Sequence, residues 1–249
     1  MSKVICICST PRGHREHAAL ANMHTFLHHD YASALEDLSV DECPSNVSIS
    51  DPEQEIETIL RCCRAEHIQG VITTDDYPGT TVACIVAHEL KLPNPKPEAS
   101  LLCQQKFYSR QIQALAAPEA TPDFQLIGVR PEAAMPPDCS FPLFVKPVKS
   151  FFSVGAQRVE SRSDLEKIKN RWARSAAFFH PFEILFNKYT GHFLGTNCLL
   201  GEGLLQGFRG RSTATFAAAK ADGRRRPLKK MAASLVSEKR RTPVNHTTN

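Results

Sequence analysis

Five histidines fall within the first thirty residues, and His24 and His28 would share one face of a helix, with His14 and His17 just upstream. A metal centre needs a further ligand within reach and a supporting shell of outer contacts. No such ligand is legible, so solvated helix histidines are the expectation and no metal ligand is assigned. The nine cysteines offer a CxC at Cys6 and Cys8 and a CC at Cys62 and Cys63, without a CxxC pair, so most are read as small core hydrophobes. Phosphate-loop chemistry is excluded on spacing: GxxxxGK[ST] is absent, and Gly201 to Gly207 forms a GxGxxxG, one residue too long for the dinucleotide pattern. Asp75-Asp76-Tyr77-Pro78-Gly79 remains, an acidic turn closing the strand-like Gly70 to Thr74. The carboxyl end of such a strand is where open α/β sheets bind ligands.

The elements that must position these groups alternate between strand-like and helix-like over residues 1–96. That alternation predicts a small Rossmann-like parallel-sheet domain. Val4 to Ser9 reads as a buried strand, and His14 to His29 as a helix. Asp51-Pro52 reads as a helix start, with Asp51 as N-cap and Pro52 at the first helical position. A connector, Leu92-Pro93-Asn94-Pro95-Lys96-Pro97, cannot continue a helix and marks a boundary. An α+β block should follow over 97–207: a helix from Ser100 to Ala117, and strands at Phe124 to Val129, Phe141 to Val145 and Ala156 to Val159. A further helix should open on a capping box, Ser163 to Glu166.

Residues 208–249 carry 11 Lys/Arg against 2 Asp/Glu in a chain of net charge +4, so the remainder is mildly acidic. Without apolar periodicity this tail cannot offset its ordering entropy, and disorder is expected. No apolar run approaches the length of a membrane span. No secretory leader precedes the VICICS segment, so a reducing, cytoplasmic setting is expected.

The GVITTDDYPG turn, the ELKLPNPKPEAS connector, the CQQKFYSRQ helix, the FPLFVKP strand end and SFFSVGAQRV occur in that order. The series resembles the ATP-grasp superfamily of carboxylate–amine ligases, over the domain preceding the grasp fold and its first nucleotide-holding subdomain. The resemblance implies an α/β domain over 1–96 and a partial ATP-grasp domain over 97–207, leaving the basic tail over 208–249, expected to be disordered, outside it. It implies that Lys106 and Lys146 are the two phosphate-contacting lysines, offsetting the polyphosphate charge. It also implies that Ser150 to Gly155, with Ser153 and Gly155, closes over the phosphates. Glu202 and Leu204 would then belong to the hinge lining an adenine pocket, with Leu204 and Leu205 against the ring.

Phe151 and Phe152 depart from the small residues usual in that loop, and a hairpin packing them on a core is the competing reading. For Glu202 the competing reading is a buried strand with an exposed glutamate. The partners implied are ATP with Mg²⁺ and a small carboxylate and amine joined through an acyl phosphate. The second subdomain, which holds Mg²⁺ in the family, has no counterpart after Gly207, so the chain is expected to be truncated and of reduced or no activity. The alternative is a non-catalytic binding module whose tail contacts an acidic partner or nucleic acid.

Overall fold

A computed structural model describes residues 1–31, 50–129, 140–151 and 153–204. The tail read as disordered, together with Phe152, Leu205, Cys43 and Cys139, lies outside the described residues. Residues 1–206 form one compact unit.

The chain opens with β1 (Ser2–Ile7), α1 (Pro11–Ala19) and β2 (His24–His29), followed by α2 (Pro52–Ala65), β3 (Gly70–Thr73) and α3 (Gly79–Glu89). β1 is central in a parallel sheet of order β2-β1-β3, with Val4 opposite both Phe26 and Gly70. Parallel neighbours need crossovers, and α1 and α2 supply them. Asp51 caps α2 as expected, accepting from the N–H of Glu53 at 2.8 Å, with Pro52 in the first turn. Ile56, Ile59, Leu60 and Cys63 point into a core shared with Ile5, Ile7, Val82 and Ile85, all at most 5 % exposed.

The helix expected over His14 to His29 is corrected: α1 stops at Ala19 and β2 begins at His24. The Ala-rich half stays helical in α1, while the HTFLHH half pairs along β1 and has the β-branched and aromatic residues a strand favours. His24 and His28 are therefore strand residues, and His17, read as solvated, is 8 % exposed against the sheet.

The second layer holds α4 (Pro97–Gln104), α5 (Lys106–Ala116), β4 (Phe124–Gly128), β5 (Leu143–Pro147), β6 (Gln157–Val159), α6 (Arg162–Ser175), α7 (Glu183–Thr190) and β7 (Cys198–Gly203). Its antiparallel sheet runs β4-β7-β5-β6. The single helix expected from Ser100 to Ala117 is two helices, because Gln105 is extended (φ −92°, ψ 108°) and its side-chain oxygen accepts from the N–H of Phe107 and Tyr108. The cap of α6 also moves: Ser161, not Ser163, accepts from the N–H of Asp164 and donates to its carboxylate at 2.7 Å. Trp172, Leu165 and Phe179 are buried beneath this sheet. Among the described residues no helix is long and apolar enough to cross a membrane.

Candidate nucleotide site

The break at Gln105 decides where Lys106 goes. Lys106 becomes the first residue of α5, and its backbone N–H donates to Val148 O at 2.8 Å, tying the helix start to the end of β5. Its Nζ donates to Ser150 O at 3.0 Å. Lys146 is the fourth residue of β5, opposite Leu200 of β7. Both lysines line one cleft of about 370 Å³ with Asp76, Ser150, Phe151 and Ser153, a size within the usual range for small-molecule sites. Burial, and secondarily the neighbouring Lys146, pushes the Lys106 ammonium down to about 8, against the pull of Asp76 and Glu202.

Glu202 is not the exposed strand glutamate of the competing reading. It is 6 % exposed, and its carboxylate accepts from Lys146 Nζ at 2.8 Å and Arg110 Nε at 2.6 Å. The register explains the reach: Glu202 faces Phe144, two residues before Lys146, so the pair is a diagonal neighbour on one face. Burial works to raise the Glu202 carboxyl, but the hydrogen bonds from Arg110 and Lys146 outweigh it and hold the group below its ordinary value. β7 lies between β4 and β5, pairing Glu202 with both Phe124 and Phe144. Beyond it the N–H of Gly203 donates to Asp123 O at 2.8 Å, and Leu204 is half-buried just past the strand.

The β5–β6 connection is a hairpin loop held by its own bonds: Ser150 Oγ donates to Val154 O at 2.7 Å, and the N–H of Ala156 donates to Ser153 O at 3.0 Å. Ser153 and Gly155 both take positive φ (60° and 74°), and a Cβ on Gly155 would lie 2.9 Å from Pro147. Glycine is thus required there on two counts. Phe151 is buried against Tyr77 and Phe179, which anchors one end of the loop in the core.

Two cations escaped the sequence reading. Arg110 lies one turn after Lys106 on α5, a spacing that could have revealed it. Lys149, three residues after Lys146, donates to Gln104 Oε1 at 2.9 Å and sits 3.9 Å from the centre of the Tyr77 ring. Burial, and then Lys106, pushes Lys149 down to about 7, opposed by Asp76 and Asp75. It borders a separate, smaller cavity of about 40 Å³ with Tyr77, Gln105 and Glu183. The acidic turn divides its two carboxylates: Asp75 accepts from the N–H of Gly79 at 2.5 Å and so closes the start of α3, while Asp76 lines the larger cleft.

The clustered ammonium groups fit a polyphosphate. Mg²⁺ fits less well, since among the described residues no group of three carboxylates converges and Asp76 is the only acid in the cleft lining.

No protein-family model and no curated protein matches the sequence. Solved structures do. The L-amino acid ligase from Bacillus licheniformis aligns over 83% of this chain and 45% of its own, at 19% identity and a TM-score of 0.54. The biotin carboxylase from Campylobacter jejuni covers 83% and 46% at 17% identity and 0.48. The D-alanine–D-alanine ligase from Bacillus anthracis covers 82% and 57% at 16% and 0.47. The chain thus spans about half the length of the ligases it matches. The fold of this chain is therefore similar to that of about half of the L-amino acid ligase from Bacillus licheniformis.

Proposed function

We propose that the chain binds the polyphosphate of ATP in the cleft between the start of α5 and the end of β5, as the front half of a carboxylate–amine ligase. The observation that carries this reading is the meeting of Lys106 and Lys146, forty positions apart, in the wall of one cleft. Two positioned ammonium groups offset phosphate charge and orient it, which is most of what a protein contributes to phosphoryl transfer. Glu202 keeps Lys146 paired until the nucleotide's oxygens compete for it. Ser153 and Gly155 belong to the loop that covers the phosphates, and Leu204 contacts the adenine ring. The Glu202 backbone, engaged on both sides in the sheet, is left out of the adenine contacts.

In a complete ligase the γ-phosphate would activate a substrate carboxylate as an acyl phosphate, which an amine then displaces. Mg²⁺ would need carboxylate ligands, and no convergence of three lies among the described residues.

Equilibrium ATP binding by the full chain tests the reading. Saturable binding is expected, weakened at least tenfold by Lys146→Ala with the circular dichroism spectrum unchanged. Equal affinity in Lys106→Ala, Lys146→Ala and the parent would remove the proposal. Retention on nucleic acid with no nucleotide affinity would favour the binding-module alternative.

A further inference from the structure

Away from the cleft, three groups of metal-ligand type meet where β1, α1 and β2 come together. Cys6 and His28 are direct partners in the parallel ladder, and His17 comes down from α1 onto the same face. Ligand atoms of Cys6, His17 and His28 all lie within 4.8 Å of one another, and among the described residues this is the one convergence of three such groups. The cluster is interior: Cys6 is 0 % exposed and His17 8 %, with His28 half-buried.

Burial of this kind is ordinarily accompanied by hydrogen bonds. Here Nδ1 of His17 is buried without a partner, although its ring is fixed by stacking on Phe26 at 4.4 Å. His28 is oriented from outside, its Nδ1 hydrogen-bonded to Ser9 Oγ at 2.6 Å and its ring stacked on His14 at 3.9 Å. A ring nitrogen held by an outer hydroxyl is the supporting contact that metal-ligating imidazoles carry.

We infer that Cys6, His17 and His28 form a binding site for a zinc-class ion. The donor set decides the class: one thiolate and two imidazoles suit a borderline-soft divalent ion, whereas Mg²⁺ and Ca²⁺ take oxygen. Separations of up to 4.8 Å must close by about 1 Å to reach those of a tetrahedral site with bonds of roughly 2.0–2.3 Å, and the stacked His17 and His28 rings, 29° apart in plane, must turn so that their nitrogens converge. Binding releases the Cys6 thiol proton to solvent, and a water takes the fourth position. The ion would join the first crossover of the parallel sheet to its central strand, a role independent of the nucleotide cleft.

The test uses the full chain, stripped with chelator and dialysed. One Zn²⁺ per chain should be taken up, and Co²⁺ in its place should give a thiolate-to-metal charge-transfer band. That band should vanish in Cys6→Ser and persist in Cys62→Ser and Cys103→Ser, whose thiols are exposed. Affinity should fall in His17→Gln by more than the about 10- to 100-fold that losing an outer-shell partner costs. A band that survives Cys6→Ser, or no stoichiometric uptake, overturns the site. Because substitutions in this buried cluster can unfold the sheet, X-ray absorption on the parent protein gives a second reading. One sulfur with two or three nitrogen or oxygen neighbours upholds the site, and any other sulfur count refutes it. ATP binding is scored separately, so loss of either proposal leaves the other standing.

Discussion

At the residue scale, Lys106 gives the site a pH signature whose sign differs between binding and folding. Its folded value, held down to about 8 by burial first and by Lys146 second, lies below the roughly 10.4 of a free lysine. Between those values the unfolded chain holds the proton and the folded chain does not, so this group makes stability rise with pH across that window. Polyphosphate does the reverse, favouring the ammonium and raising its value, so nucleotide binding takes up a proton. ATP affinity should be flat below about pH 7 and should fall above about pH 8 by up to about tenfold per pH unit. Lys106→Arg, permanently charged, should flatten that limb. A titration of affinity from pH 6 to 10 checks this, and a parent profile that stays flat to pH 10 would take Lys106 out of the site.

Lys106 and Lys146 stand out in the sequence because ordered motifs carry them, and both line one cleft. What holds Lys146 was not legible there. Glu202 reaches it only through the β5–β7 register, which no local pattern encodes, and Arg110 completes the pair from a helix whose start the sequence reading had misplaced. The histidines show the same limit. Their spacing was read as helical, and only the parallel pairing of β2 with β1 turned His28 toward Cys6.

At the element scale, the Asp51 cap and the non-helical Pro-rich connector were readable, since each depends on neighbours in sequence, whereas β2 was not. The split of the Ser100 to Ala117 helix was not, because nothing in Leu-Cys-Gln-Gln-Lys-Phe breaks a helix by composition. The break exists because Gln105, 5 % exposed, uses its side chain to cap α5 while the N–H of Lys106 bonds Val148. This gives a test of what the break is for. Gln105→Ala removes the cap, and stability should drop by about 1 kcal/mol, the ordinary cost of losing one. ATP affinity should fall several-fold as well, since the start of α5 then frays and Lys106 is no longer fixed beside Ser150. Chemical denaturation and nucleotide titration of one variant read both effects. A stability loss with unchanged affinity would mean that the capping is purely structural.

At the scale of the whole chain, charge and fold separate at nearly the same place. Residues 1–206 close on themselves as one unit, while the excess of Lys and Arg lies at 208–249. Polyphosphate and nucleic acid are both polyanions, so the two functional readings differ in location more than in chemistry. In one, a few ammonium groups are fixed in a cleft; in the other, many lie along a segment. Salt distinguishes them, because each phosphate neutralised by a lysine or arginine releases counterions and steepens the loss of affinity with salt, and the basic segment would neutralise more of them. A chain ending at residue 206 should keep the melting temperature and ATP affinity of the full chain within error, yet lose retention on heparin or single-stranded DNA at low salt. The full chain should be retained and should elute as salt rises. If the shorter chain loses ATP affinity, groups beyond 206 belong to the nucleotide site. If it keeps its polyanion retention, the cations of the cleft and its surroundings, and not the basic segment, are the surface that attracts acidic partners.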